Sequence, residues 1–159
     1  YLNIHYPERF DLYGRGWGDV DKFSVWERVF GVPKLGVYKG EIKELEKLNV
    51  LSNYKFCVCF ENASAPGYIT EKIFDCFLAG VVPIYLGAPN ISMYIPKETY
   101  INMEDFASYE ELIAFTKSMT ETRYTKYIKA ANIFLKDQKK TQKWSLSAFQ
   151  NTIVSLIQS

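Results

Sequence analysis

The chain has 159 residues, 48% of them hydrophobic and 16% aromatic, with a formal net charge of +1. That length and apolar content suit a packed domain with a substantial core and exclude a disordered tail. The near-zero charge leaves no broad basic field for nucleic acid and no polybasic membrane patch, and no apolar run approaches the ~20 residues of a membrane span. No signal peptide is evident, and the chain opens directly in structured-looking sequence, as a fragment of a longer protein would.

Residues 1–8 read as a helix end or loop limited by Pro7, and the lone His5 there reads as structural. A short strand is expected over residues 10–13, followed by the flexible turn Gly14-Arg15-Gly16-Trp17-Gly18. By itself this glycine cluster lacks the full dinucleotide fingerprint. Arg15 either faces a bound diphosphate or is a surface charge. Asp19-Val20-Asp21 has the Asp-x-Asp form of a metal-holding pair, but no strand-like run precedes it. It reads as a turn or helix cap, and no metal is assigned. Residues 31–40 are loop-like. A helix is expected over 41–51, with Ile42, Leu45, Leu48 and Leu51 as its apolar stripe.

The centre of the chain is more informative. Residues 54–60 form an apolar, aromatic and cysteine-rich run short enough for a buried strand. Cys57 and Cys59 fall on one face of it and Cys76 on the next helix, so reduced, packed thiols are expected. A polar loop, Glu61-Asn62-Ala63-Ser64-Ala65-Pro66-Gly67, leads through Tyr68-Ile69-Thr70 into a helix from Glu71 that ends at Gly80. A second apolar strand covers 81–86. Such a unit makes the two strands parallel with a right-handed crossover.

In that arrangement the loop lies at the carboxyl edge of the sheet, where open α/β sheets bind ligands. The helix aims its free N–H groups there, which favours an anion. Lys72 adds a cation, Asn62 and Tyr68 add neutral hydrogen-bonding groups, and Glu71 is an acceptor suited to sugar hydroxyls. A diphosphate on a nucleoside would use all four. The simpler alternative is that Thr70 caps the helix, Glu71 complements its dipole and Lys72 is solvated.

Further on, Gly87-Ala88-Pro89-Asn90 is a loop at the second strand's end, and 100–103 is a short strand. Ser108 and Glu111 form a capping box ahead of a helix carrying Leu112, Ile113, Phe115 and Met119. Another helix is expected over 123–135, then a basic stretch with Lys136, Lys139, Lys140 and Lys143, and an amphipathic helix over 147–157. The expected division is a domain over 1–136 and a basic linker with terminal helix over 137–159.

Three runs, Phe60-Glu61-Asn62, Gly67-Tyr68-Ile69-Thr70-Glu71-Lys72-Ile73-Phe74 and Ala79-Gly80-Val81-Val82-Pro83-Ile84-Tyr85-Leu86-Gly87, closely resemble the signature of the α-1,3-fucosyltransferases, glycosyltransferase family 10. The likeness continues through Tyr94-Ile95-Pro96, Tyr100-Ile101-Asn102 and Asp105-Phe106, and upstream through Asp11-Leu12-Tyr13-Gly14-Arg15-Gly16. It covers roughly residues 10–115 and weakens beyond, where Phe134-Leu135 replaces a Trp-Arg pair frequent in the family.

The resemblance implies an α/β, Rossmann-like parallel sheet domain, the donor-binding half of a two-domain GT-B-type glycosyltransferase. It implies transfer of fucose from GDP-fucose to a glycan hydroxyl, with no further cofactor. By carry-over, Asn62, Tyr68 and Lys72 would contact the diphosphate or fucose, and Glu71 the ribose hydroxyls. The base would be a carboxylate of an amino-terminal acceptor domain, and a phosphate-binding arginine would precede this sequence. Alternatives are a non-catalytic nucleotide-binding or interaction module, or an enzyme using another nucleotide sugar. A bacterial source would place the protein in the cytoplasm or peripherally at the inner face of the membrane, a eukaryotic one in the Golgi membrane. A glycan on Asn62, within Asn62-Ala63-Ser64, would block the seat, which favours the bacterial setting.

Overall fold

The computed structural model describes residues 10–14, 38–145, 147–148, 150–151 and 154–155. The chain divides into two compact units, Tyr1–Lys47 and Leu48–Ser159. His5, Arg15, Asp19 and Asp21 lie outside the described residues.

In the first unit the expected strand reduces to a single parallel bridge between Leu12 and Tyr38. The Lys39 N–H donates to the Leu12 carbonyl at 2.9 Å and the Gly14 N–H to the Gly40 carbonyl at 3.1 Å. The helix expected over 41–51 starts late: a 3-10 turn, Glu44–Glu46, precedes a short helix α1 (Lys47–Leu51). Lys43, ahead of the turn, is extended and supplies no side-chain cap. Leu45, placed by periodicity in a buried stripe, is 95% exposed.

The second unit holds a parallel sheet in the order β1 (Phe56–Phe60), β2 (Val82–Leu86), β3 (Ile101–Asn102). Phe56 pairs with Val82 and Phe60 with Leu86, while Ile84 pairs with Ile101. Between β1 and β2 runs α2 (Glu71–Ala79). It stops at Gly80, whose φ of 72° is the left-handed conformation that glycine adopts without steric penalty. There the Val81 N–H bonds the Cys76 carbonyl at 2.9 Å and the Gly80 N–H the Phe77 carbonyl at 3.2 Å, which closes the helix end and turns the chain into β2.

Alternation along the strands separates two apolar layers. One face brings Cys57, Cys59 and Tyr85 against Ile73, Cys76 and Phe77 of α2. The other brings Phe56, Phe60, Val82 and Ile84 against Leu112 and Phe115 of α3 (Tyr109–Lys117). Ser108 caps α3 by accepting from the Glu111 N–H at 3.3 Å. The Glu111 carboxylate reaches back to the Ala107 N–H at 2.8 Å, one residue earlier than the usual box. The 16-residue helix α4 (Glu121–Lys136) serves both layers. Its Tyr124, Tyr127 and Ile128 join the α3 side, and its Ala131 and Phe134 join the α2 side. In the basic stretch beyond, Asp137 caps a short helix α5 (Gln138–Thr141).

The three cysteines are free, as expected. The hydrogen bond with Cys57 favours the Cys76 thiolate. Hydrogen bonding to Cys59, burial and the nearby Cys59 and Asp75 charges outweigh it and push the thiol well above its ordinary range. Among the described residues no helix is long and apolar enough to cross a membrane.

Candidate functional site

The carboxyl end of β1, the loop after it and the first turn of α2 converge on one buried carboxylate. Glu61 follows β1 directly, and its N–H donates to the Leu86 carbonyl at 2.8 Å, continuing the pairing with β2. That bond turns its side chain into the unit, where it is 0% exposed. A buried carboxylate is costly unless its oxygens are bonded. Here one oxygen accepts the Thr70 N–H at 2.8 Å and the other the Thr70 hydroxyl at 2.8 Å. The Lys72 ammonium stands 3.5 Å from the second oxygen.

Lys72 lies in the first turn of α2, and its stem runs back over the end of β1. Its ammonium donates to the Phe60 carbonyl at 3.0 Å and to Asn62 Oδ1 at 3.0 Å. The first contact is part-buried; the second is exposed. Lys72 and Asn62, paired from the sequence, therefore share one environment at the start of a helix.

The other candidates are placed less tightly. Glu71 opens α2 with an exposed side chain, and the Tyr68 ring is 40% exposed. Among the described residues no hydrogen bond joins either to the Lys72–Asn62 pair. Tyr68 is fixed through its backbone, its carbonyl lying 3.5 Å from the buried Tyr85 hydroxyl. That hydroxyl also accepts the Ala88 N–H at 3.0 Å. Burial raises the Tyr85 pKa above the ordinary phenol value, so the group is a neutral strut.

The alternative in which Thr70 caps the helix is not what is found. Thr70 does stand at the helix start, but its side chain makes no cap hydrogen bond. Its hydroxyl is taken by Glu61 instead, so Thr70 leaves the first-turn N–H groups of α2 uncapped.

Glu61 and Gly87 were not named as site residues from the sequence, and Thr70 was named only as a helix cap. The available signal was an acidic residue directly behind an apolar strand, in register with a glycine behind the paired strand. A Cβ at Gly87 would lie 2.6 Å from the Glu61 Cγ and 2.6 Å from the Tyr85 hydroxyl, so only glycine leaves room for the carboxylate. The loop is pinned further by the Ser64 hydroxyl, which donates to the Gly87 carbonyl at 3.0 Å, and by the Gly67 N–H, which donates to Asn90 Oδ1 at 2.7 Å. Two open depressions lie elsewhere. One of about 300 Å³ is lined by Lys97, Glu98, Arg123, Lys126 and Tyr127, and one of about 410 Å³ by Gln138, Thr141, Gln142, Ser145 and Ser147. Neither includes the Glu61 cluster. The hydrogen bonding marks that cluster as a prepared place: a cation, an amide and uncapped N–H groups in one spot suit an anion.

The family model described as Glycosyltransferase family 10 (fucosyltransferase) C-term matches residues 13–156. The match runs past residue 115, where the likeness was expected to fade; Tyr124, Tyr127, Ala131 and Phe134 keep the packing face of α4 without the Trp-Arg pair. The chain is 39% identical over 71 residues to Alpha-(1,3)-fucosyltransferase FucT of Helicobacter pylori, covering 45% of this chain and 15% of that enzyme. It is 36% identical over 80 residues to Alpha-(1,3)-fucosyltransferase 7 of Homo sapiens, covering 48% of this chain and 23% of that one. It superposes on a crystal structure of an alpha1,3-fucosyltransferase with GDP-fucose at a TM-score of 0.51 and 33% identity, over 57% of this chain and 27% of that one. The matched region thus spans between a seventh and about a quarter of these relatives.

Proposed function

This chain belongs to glycosyltransferase family 10, and we propose that it is the donor-binding part of an inverting fucosyltransferase. It takes GDP-fucose and serves transfer of fucose to a sugar hydroxyl, in α-1,3 linkage to an N-acetylglucosamine-type acceptor. The observation that carries this reading is the 3.0 Å hydrogen bond between Lys72 and Asn62 at the uncapped start of α2. In this reading Lys72, Asn62 and Tyr68 face the diphosphate and fucose, and Glu71 takes the ribose hydroxyls.

As the bond between fucose and the β-phosphate breaks, negative charge grows on the leaving GDP. Lys72 and the α2 N-terminus oppose that charge, and their effect is larger in the transition state than in the ground state. The acceptor hydroxyl needs a base on the opposite face of the sugar. That base is a carboxylate of an amino-terminal acceptor domain, so this chain alone binds GDP weakly and transfers no sugar. We place the protein in the cytoplasm or peripherally at the inner face of a bacterial membrane, with the Golgi membrane as the eukaryotic alternative. What supports the bacterial setting is the place of Asn62 beside Lys72, because a glycan on its Nδ2 would stand at the proposed seat.

Titration of the chain with GDP, UDP and ADP tests the reading, with Lys72→Ala alongside. Binding of GDP alone, weakened in the variant, is the expected result. Preference for UDP would indicate another nucleotide sugar, and binding of none an interaction module. Undiminished GDP binding by Lys72→Ala would remove Lys72 from the site.

A further inference from the structure

We propose that Glu61 is a positioning residue of the donor seat: it holds Lys72 and the first turn of α2 ready for a diphosphate without touching the donor itself. The inference rests on the donor-binding reading above and deepens it.

Three observations converge. The Glu61 side chain is 0% exposed, yet it sits one residue from the surface amide of Asn62. Burying a carboxylate only to stabilise a fold is a poor solution, since an apolar residue of similar volume commonly does as well or better. The neighbourhood is nevertheless built to admit it, because Gly87 leaves the space and Thr70 turns both its N–H and its hydroxyl towards it.

The second observation concerns Thr70. Ser108, Thr120 and Asp137 each cap their helix by accepting a first-turn N–H, at 3.3 Å in every case. Threonine is a competent cap. Thr70 forgoes that role because Glu61 draws its hydroxyl inward, and α2 keeps its N–H groups available to an anion.

The third concerns Lys72. An ammonium has three donors. Of its three partners, the Glu61 carboxylate is buried, the Phe60 carbonyl is part-buried and Asn62 is exposed. A phosphate oxygen therefore displaces a single exposed hydrogen bond, and the lysine need not be gathered from solvent. Ordering a long side chain in advance lowers what binding must supply.

The sign of one substitution separates this role from a bystander's. Glu61→Gln removes a negative charge beside an anion seat, so a carboxylate acting only through its charge predicts tighter GDP binding. A positioning residue predicts weaker binding, because the amide nitrogen meets the Lys72 ammonium or the Thr70 donors and releases them. The experiment is a GDP titration, followed by NMR, of the full chain and of Glu61→Gln, Lys72→Met and the double variant, each checked for folding by thermal unfolding. The expected result is about tenfold weaker binding in Glu61→Gln and no further loss when it is added to Lys72→Met. If Glu61→Gln does not fold, Glu61→Asp carries the same comparison; its carboxylate keeps the charge but is one methylene too short to reach Thr70 and Lys72 together. Unchanged or tighter GDP binding, or a loss that adds in full to that of Lys72→Met, overturns the proposal. Absence of GDP binding by the parent chain removes the donor seat itself and this inference with it, so that failure is read separately.

Discussion

The Cβ that residue 87 lacks would stand 2.6 Å from the Cγ of Glu61. The carboxylate and the missing methyl are two halves of one packing solution, contributed by adjacent strand ends. Gly87→Ala is therefore expected to push Glu61 off its Thr70 contacts. We expect a loss of about 1–3 kcal/mol in denaturant unfolding, as for overpacked interiors, together with weaker GDP binding. An alanine variant as stable as the parent would mean that Glu61 is not held where it is drawn.

The crossing of α4 between layers gives a sharp contrast between neighbours. Phe134 is 2% exposed and meets the Phe77 ring at 6.1 Å, whereas Ile133 is 70% exposed. Phe134→Ala should cost about 3–5 kcal/mol, and Ile133→Ala no more than about 0.5 kcal/mol. Equal effects in urea titrations would contradict the orientation of α4.

Alkaline pH should weaken the second unit. Tyr100 is 4% exposed. Burial first, and then the Asp105 charge, raise its pKa to about 12. The neutral phenol is favoured in the folded state. The contribution is fully present below the ordinary phenol value near 10 and is lost as pH climbs from there towards 12, because the unfolded chain releases its proton first. Stability measured across that window should fall less steeply in Tyr100→Phe, and an identical slope would refute the assignment.

Thiol reactivity should follow burial. Cys59 and Cys76 are 2% and 1% exposed, and Cys76 is held as the thiol. Only the thiolate reacts readily. Native alkylation read by mass spectrometry should leave both unmodified until denaturant is added. Rapid labelling of Cys76 in the folded chain would contradict the packing of α2 on β1.

Much of this architecture was legible in the sequence because it obeys a simple period. The apolar runs either side of α2 read as buried parallel strands, Gly80 as a helix end and Ser108 as a cap, and each is found there. That Lys72 and Asn62 stand at one edge of the sheet was equally visible, since both flank one loop. What stayed hidden depends on positions distant in sequence. Glu61 looked like the first polar residue of a loop, and nothing local announces that Gly87, on another strand, clears a space for it. Thr70 looked like a cap because residue type favours it; its actual partner is nine positions away. Leu45 shows the opposite failure, where a helical stripe was read but no layer covers it.

Since α4 is anchored in both apolar layers, neither layer can open while the other stays closed. The backbone amides midway along α4 should then exchange with deuterium only when the whole second unit comes apart, and at the same rate as those of β2. A substitution that unseats Ala131 or Phe134 would loosen the sheet and the loop after β1 together, in one step.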